Sequence, residues 1–143
     1  MEDGKKIRLT RARVTVLEGQ RLLAMDRSGT SDPYVKVMQV TLHIRVFLNT
    51  QAGRCLHKTP EKKKTLTPSW NHQFSLTIEN SFTPLVFQVF DKNLFEADEF
   101  MGQAEINIAG FEFNKSYEVT LHLEDGEGEN QVGLALQCTE GRQ

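Results

Sequence analysis

The segment Leu85-Val-Phe-Gln-Val-Phe-Asp91-Lys-Asn-Leu-Phe-Glu-Ala-Asp98-Glu-Phe-Met-Gly102 joins an alternating apolar run to a dense acidic loop. Leu85, Phe87 and Val89 occupy every second position, which is the period of a strand with one buried face. The alternation resumes after the loop at Ala104, Ile106 and Ile108. The segment therefore predicts two strands connected by a loop rich in carboxylates.

The same alternation recurs along most of the chain. It appears at Ala12, Val14 and Val16; at Phe74, Leu76 and Ile78; at Tyr117, Val119, Leu121 and Leu123; and at Val132, Leu134, Leu136 and Cys138. Gly, Pro, Asn or Asp residues separate the runs, and no long helical segment is visible. Many half-buried strands at short spacing predict an all-β fold, an antiparallel β-sandwich.

In one stretch the apolar residues switch from odd-numbered to even-numbered positions. Val35 and Val37 fall on odd positions, whereas the alternation from Val40 to Leu48 falls on even positions. A bulge near Met38-Gln39 would restore the register and bend the strand. The segment 40–54 is either an insertion or an extended hairpin.

A second acidic cluster, Asp26-Arg-Ser-Gly-Thr-Ser-Asp32-Pro33-Tyr34, also follows a strand-like run. If successive strands alternate in direction, this cluster, Thr65–Asn71 and Asp91–Glu99 all fall at one end of the sandwich. The same count places Glu124–Glu129 at that end and both termini at the other. Carboxylates gathered on loops repel one another, and hard oxygen ligands favour Ca²⁺. We therefore expect calcium binding.

Bulk properties exclude several function classes. A net charge of -2 and a pI of about 6.1 give no reason to expect a nucleic-acid partner. No apolar run approaches the roughly 20 residues that span a bilayer, and the N-terminus lacks the apolar segment of a signal peptide. We expect a single domain over residues 1–143, with a core over about 8–138. The two cysteines are expected to be reduced thiols in a cytoplasmic protein.

Catalytic signals are weak. The four histidines show no metal-ligand spacing, and the sequence has no Gly-rich phosphate loop and no nucleophile elbow. Metal-assisted hydrolysis by the acidic clusters would lack an evident base or oxyanion donors. An EF-hand beginning at Asp91 fails at Phe95, where an oxygen ligand is expected, and at Gly102, where the final Glu is expected. We therefore expect no enzymatic activity.

Three motifs together resemble the C2 domain family. They are Asp26-x-x-x-x-Ser31-Asp32-Pro33-Tyr34-Val35-Lys36-Val37, Thr65-Leu66-Thr67-Pro68-Ser69-Trp70-Asn71-x-x-Phe74, and Val89-Phe90-Asp91-x-Asn93 with Asp98-Glu99-Phe100-Met101-Gly102. The resemblance covers about Val14 to Ile108, with weaker support to Cys138. It implies an eight-stranded Greek-key sandwich that binds Ca²⁺ and anionic phospholipid at its loop end. Two strands follow Gly102 and none is paired before the first, which is typical of the permuted (type II) topology.

The resemblance also implies a set of calcium ligands in the acidic loops. They are Asp26, Asp32, Asp91, Asn93 and Glu99, with Asp98 as an adjacent alternate. Asn93 stands where the family usually has a second aspartate, so it offers an amide oxygen but no charge. Glu99 aligns with the last aspartate of the loop and is longer by one methylene.

Two apolar residues and a basic set are candidate membrane contacts. Leu94 and Phe95 lie mid-loop and either insert into lipid or fold back onto the loop base. The basic set comprises Arg27, Lys58, Lys62, Lys63 and Lys64. These lysines form either a patch for phosphatidylserine or phosphoinositide or a solvated surface. Pro60 and Glu61 interrupt the lysine–threonine alternation that is usual in the family.

The sequence thus predicts calcium-dependent binding to anionic phospholipid membranes. The chain would act as a monomeric, peripheral membrane-targeting module of a larger signalling or trafficking protein. The alternative is a calcium-independent module that binds a protein partner or stays docked on a membrane. A calcium titration separates the two.

Overall fold

The computed structural model describes residues 9–40, 53–79, 83–124 and 130–141. These residues form eight strands: β1 (Thr10–Gln20), β2 (Pro33–Val40), β3 (Gly53–Lys58), β4 (Ser69–Ile78), β5 (Leu85–Asp91), β6 (Glu99–Ile106), β7 (Ser116–His122) and β8 (Gln131–Glu140). A 3₁₀ turn follows β6 at Ile108–Gly110. No helix in these ranges has the length and apolar character needed to cross a membrane. The segment 40–54 falls mostly outside the described residues.

The strands form two four-stranded sheets in which all neighbours are antiparallel. The first sheet has the order β4-β1-β8-β7 and the second has the order β3-β2-β5-β6. The last strand, β8, lies between β1 and β7, which is the permuted arrangement expected from the sequence. The prediction of an eight-stranded antiparallel sandwich is confirmed.

Alternate residues of the strands meet in one core between the sheets. Along β4, Trp70, Phe74 and Leu76 are buried, and the residues immediately beside them are exposed or half-buried. In β5, which has a strand on either side, every residue from Leu85 to Val89 is buried. Burying each large apolar side chain contributes about 1.5–3 kcal/mol. The core therefore sets the register from which the loops emerge.

The strand directions place the acidic loops at the end opposite to the first and last described residues, Leu9 and Gly141. Thr10, the first residue of β1, pairs with Glu140, the last residue of β8. The Gly141 N–H donates to the Leu9 carbonyl oxygen at 2.7 Å. The loops after β1, β3 and β5 share the opposite end, as the strand count predicted. The acidic segment after β7 begins at that end with Glu124, and its other residues lie outside the described ranges.

The bulge that the sequence predicted in β2 lies instead on the neighbouring strand β3. β2 pairs with β5 in an unbroken register. Its register with β3 shifts where Val37 pairs with His57 and Met38 pairs with Cys55. Leu56 is therefore the extra residue, and it packs partly buried against the core. The position of the irregularity was predicted, but the strand was wrong; on the edge strand β3 the extra residue disturbs only one ladder.

Candidate metal centre

A buried serine holds the first acidic loop in shape. The Ser31 hydroxyl donates to the Leu23 carbonyl oxygen at 2.7 Å and accepts the Met25 N–H at 2.9 Å. Gly29 has a φ of 85°, and its N–H donates to the Asp26 carbonyl oxygen at 3.0 Å. Glycine adopts this left-handed conformation without steric cost. These contacts define the loop conformation that carries Asp26 to the end of the sandwich.

Three predicted ligands meet there, and we call Asp26, Asp32 and Asp91 the acidic trio. Ligand atoms of the three side chains lie within 4.8 Å of one another. The Asp32 N–H donates to Asp91 Oδ1 at 2.8 Å, and the Lys64 N–H donates to Asp32 Oδ1 at 2.8 Å. The first loop, the end of β5 and the loop after β3 therefore build the site together.

Asp91 is the most buried member of the acidic trio. The residue has no exposed surface, and its Oδ2 has no hydrogen-bond partner. Burial raises the pKa of Asp91 against the lowering effect of the Asp32 N–H, and the Asp26 and Asp32 carboxylates raise it further. A buried carboxylate oxygen without a partner is costly. The site is therefore electrostatically incomplete with its own residues alone.

The acidic trio fits a hard divalent cation. Two unit charges 4 Å apart repel by about 4 kcal/mol at an effective dielectric constant near 20. All the donor atoms are oxygens, and Ca²⁺ takes about six to eight oxygen ligands. The acidic trio would supply part of that shell, and a cation there would give Asp91 Oδ2 the partner it lacks.

The other three predicted ligands form a separate third-loop network. Asp98 Oδ1 accepts the Asn93 N–H at 2.9 Å, and Asp98 Oδ2 accepts the Tyr34 hydroxyl at 2.5 Å. Asn93 Nδ2 donates to the Ala97 carbonyl oxygen at 2.9 Å and to Glu99 Oε1 at 3.4 Å. Among the described residues, Asp98 and Glu99 lie outside the carboxylate cluster of the acidic trio. Calcium ligation by this network stays a prediction.

Tyr34 is a residue to which the sequence analysis assigned no role. Its ring stacks on Phe90 with centroids 5.9 Å apart. Burial raises the pKa of Tyr34, and Asp98 raises it further. Burial alone would raise the pKa of Asp98, but bonds from Asn93 and Tyr34, with Lys92 nearby, lower it. An ionised Asp98 thus ties the third loop to β2, and the only sequence signal was the tyrosine of the Asp-Pro-Tyr motif.

Tyr34→Phe is expected to destabilise the third loop by about 1.5 kcal/mol, the lower end of the range for hydrogen bonds to charged groups. Phenylalanine keeps the stacking on Phe90, so only the hydroxyl is lost. Hydrogen exchange should accelerate at residues 92–98. Tyr117→Phe is the matched control, because its hydroxyl accepts the Glu112 N–H far from this loop. Unchanged exchange at 92–98 in Tyr34→Phe would contradict the assignment.

Leu94 and Phe95, which we call the apolar tip, project into solvent from the third loop. Their exposed fractions are 79% and 97%. Neither side chain folds back onto the loop base, which was one of the two alternatives. Exposed apolar side chains beside an acidic site are unfavourable in water, so this arrangement favours an apolar contact. Insertion of the apolar tip into lipid stays a prediction.

The basic set is distributed over the loop end and β3. Arg27, Lys58, Lys63 and Lys64 are exposed, and Lys62 is half-buried. Lys63 Nζ lies 3.1 Å from Glu61 Oε2, an exposed ion pair of little energetic weight. Because Lys64 also donates its N–H to Asp32, its side chain emerges beside the acidic trio.

The fold and the site together define a class of protein: a β-sandwich module whose end loops gather three carboxylates and expose an apolar tip. Residues 10–123 match the family model described as C2 domain. The chain belongs to the C2 domain family.

Two relatives from Drosophila melanogaster contain a segment similar to this chain. The Multiple C2 and transmembrane domain-containing protein is 35% identical over 122 residues, covering 85% of this chain and 12% of the relative. The E3 ubiquitin-protein ligase Nedd-4 is 41% identical over 96 residues, covering 67% of this chain and 9% of the relative. The chain therefore spans about a tenth of the length of these relatives.

Solved structures show the same fold. A C2 domain of plant Extended Synaptotagmin 1 has a TM-score of 0.77 at 21% identity, covering 96% of this chain and 100% of that one. The calcium-bound pair of C2 domains of Extended-Synaptotagmin 2 has a TM-score of 0.70 at 20% identity, covering 90% of this chain and 45% of that one. At these identities the likeness concerns the fold alone.

Proposed function

We propose that this chain is a calcium-dependent module that binds anionic phospholipid, either phosphatidylserine or phosphoinositide. The observation that carries the proposal is the convergence of the acidic trio around the unpartnered Oδ2 of Asp91. The apolar tip on the adjacent loop supports it, because apolar side chains are exposed beside the charges. The C2 family is one of membrane-targeting and calcium-binding modules.

The residues would act in a simple order. The acidic trio repels an anionic leaflet while its charge is unneutralised. A bound Ca²⁺ would supply positive charge that offsets these carboxylates and attracts lipid phosphates. Asp26, Asp32 and Asp91 would hold it, with Asn93, Asp98 and Glu99 as the proposed additional ligands. The apolar tip then enters the headgroup region, and no large conformational change is needed, because the trio is already assembled.

Calorimetry and liposome co-sedimentation test this function. Titration with Ca²⁺ should show one or two sites with a Kd of about 10⁻⁵–10⁻³ M. Phosphatidylserine liposomes should pellet the protein in calcium but not in EGTA. Equal pelleting in both conditions would leave only calcium-independent docking. No pelleting in either would favour a protein-binding module.

Lys62→Gln, Lys63→Gln and Lys64→Gln combined should weaken calcium-dependent liposome binding and flatten its salt dependence. Each lysine near an anionic surface contributes about 1 kcal/mol, and about 0.15 M salt screens such contacts beyond about 8 Å. We expect a loss of roughly tenfold or more at low salt. Arg11→Gln with Arg13→Gln is the matched control, because both arginines are exposed at the chain-end half of β1. Equal losses in the two variants would contradict a specific basic contact.

The calcium-independent alternative also has an observation in its favour. The Tyr34–Asp98 and Asn93–Asp98 bonds order the third loop through the chain's own residues. A loop already ordered could present the apolar tip to a membrane or to a protein without a cation. In either case we infer a binding role for the chain as a monomeric, peripheral, cytoplasmic module of a larger signalling or trafficking protein. Ligase activity belongs to one relative as a whole protein, of which this chain covers 9%.

A further inference from the structure

Two histidines face each other across the sheets at the base of the loop between β3 and β4. His57 on β3 pairs with Val37, and His72 on β4 pairs with Val16. Both valines are fully buried in the core. Directly opposite residues of antiparallel strands share a face, so both imidazoles occupy core-facing positions. Because β3 and β4 are the edge strands of their sheets, the pair closes an open side of the sandwich.

The two imidazoles meet nitrogen to nitrogen. His57 Nε2 and His72 Nε2 lie 2.8 Å apart, the ring centroids are 5.0 Å apart, and the planes differ by 19°. At that centroid separation, the nitrogens can approach so closely only if the rings lie edge to edge in nearly one plane. The contact is therefore a direct N–H···N hydrogen bond. The lone-pair directions point at each other, which suits a shared proton better than two Zn–N bonds of about 2.0–2.1 Å to one ion.

The surroundings of the pair are apolar and aromatic. The His57 ring lies on Phe74, with centroids 4.1 Å apart and planes 14° apart. Both histidines are half-buried. Burial lowers the pKa of His57, and the neighbouring His72 lowers it further. The site therefore favours the neutral form of His57.

Few charged groups lie near the pair on the four strands that surround it. β2 and β1 present the apolar Val37 and Val16 to it, and β4 presents Phe74. On the adjacent positions of β2 and β3, Lys36 pairs with Lys58, and the Lys36 ammonium lies over the Phe90 ring at 4.7 Å. The carboxylate of β1 belongs to Glu18, which pairs with Ser69. A register shift separates that pair from the pair of Val16 and His72. Within the described part of the chain, no carboxylate forms an ion pair with either histidine to stabilise added positive charge.

We propose that His57 and His72 form an acid-sensitive latch between the two sheets. One added proton preserves the contact, because an imidazolium N–H still donates to a neutral nitrogen. A second proton removes the acceptor lone pair and places two N–H groups and two positive charges head to head. The β3–β4 edge then opens. The loop between β3 and β4 begins beside this edge and includes Lys64, whose N–H donates to Asp32. The latch therefore also stabilises the loop that positions Asp32 in the acidic trio.

The direction of the pH dependence follows from proton counting. An unfolded histidine binds a proton near a pKa of about 6.5, whereas the folded pKa of His57 is lower. The unfolded chain therefore holds more protons over the interval between the two values. Stability from the latch is present above about pH 6.5 and is lost as the pH falls toward the lowered folded value.

Thermal melts in EGTA test the latch with a matched set of variants. Between pH 7.5 and 5.0, wild-type Tm should fall by about 4 °C more than that of His57→Gln/His72→Gln, whose amides do not titrate. Protection against hydrogen exchange at residues 53–58, corrected for the intrinsic pH dependence of amide exchange, should fall in acid only in the wild type. His122→Gln, at an exposed position on β7, should behave like the wild type. Equal acid losses in the wild type and the double variant would overturn the proposal.

A spectroscopic measurement keeps the proposal falsifiable if the double variant does not fold. Imidazole ¹⁵N chemical shifts of the wild type at pH 7.5 should show one ring protonated at Nε2 and the other at Nδ1. This is the only neutral combination that supports the N–H···N bond. Two rings with the same tautomer would overturn the latch.

Discussion

Asp91→Asn is expected to abolish the calcium-induced rise in melting temperature. At a calcium concentration of 100 Kd, one bound ion stabilises the wild type by about 2.7 kcal/mol, which for a chain of this size is roughly 8–11 °C. The substitution keeps an oxygen that can accept the Asp32 N–H, which now bonds Asp91 Oδ1 at 2.8 Å. It removes the buried negative charge on which the proposed site depends. Scanning calorimetry with and without calcium measures the difference.

The calcium-free melt separates loss of ligation from misfolding. Asp91 is buried between like charges, so the neutral amide should leave the calcium-free variant at least as stable as the wild type. Its Nδ2 could donate to the Asp26 carboxylate. Glu118→Gln, at an exposed position on β7, is the matched control and should keep the full calcium shift. A calcium shift that survives in Asp91→Asn would refute the assignment of the acidic trio.

Leu94→Ala with Phe95→Ala should weaken calcium-dependent binding to phosphatidylserine liposomes by about 100-fold or more. Full burial of each large apolar side chain contributes about 1.5–3 kcal/mol, and about 1.4 kcal/mol corresponds to a tenfold change in affinity. Both side chains are available for new burial, at 79% and 97% exposure. Co-sedimentation over a range of lipid concentrations measures the loss.

Phe113→Ala is the matched control for the apolar tip. Phe113 is also exposed, at 47%, but it bridges to Cys138 near the chain-end side of the sandwich. Its loss should leave liposome binding unchanged. Calcium affinity measured without lipid should remain intact in the apolar-tip variant, which separates insertion from ligation. Equal weakening by the two sets of substitutions would show that the apolar tip has no special part in docking.

Periodicity and antiparallel succession were sufficient to predict the sandwich and the end at which the acidic loops meet, and the resemblance to the C2 family implied the individual ligands of the acidic trio. A two-residue period assigns each strand residue to a face, and antiparallel succession assigns each loop to an end. Asp26, Asp32 and Asp91 could therefore be expected at one end although the last two lie 59 positions apart in the sequence. The resemblance to the C2 family strengthened that expectation. Alternation could not show which strand takes the extra residue, and the structure places it at Leu56.

The side-chain pairings were decided only by the tertiary structure. Tyr34 meets Asp98 across 64 positions, and His57 meets His72 across the two sheets. The third-loop network ties Asn93 and Asp98 together instead of bringing Asp98 to the acidic trio. Such hydrogen bonds depend on tenths of an ångström, which arise from packing between sheets. A pattern of apolar and polar residues predicts which face of a sheet a side chain occupies and at which end of the sandwich a loop lies, but it does not predict such distances.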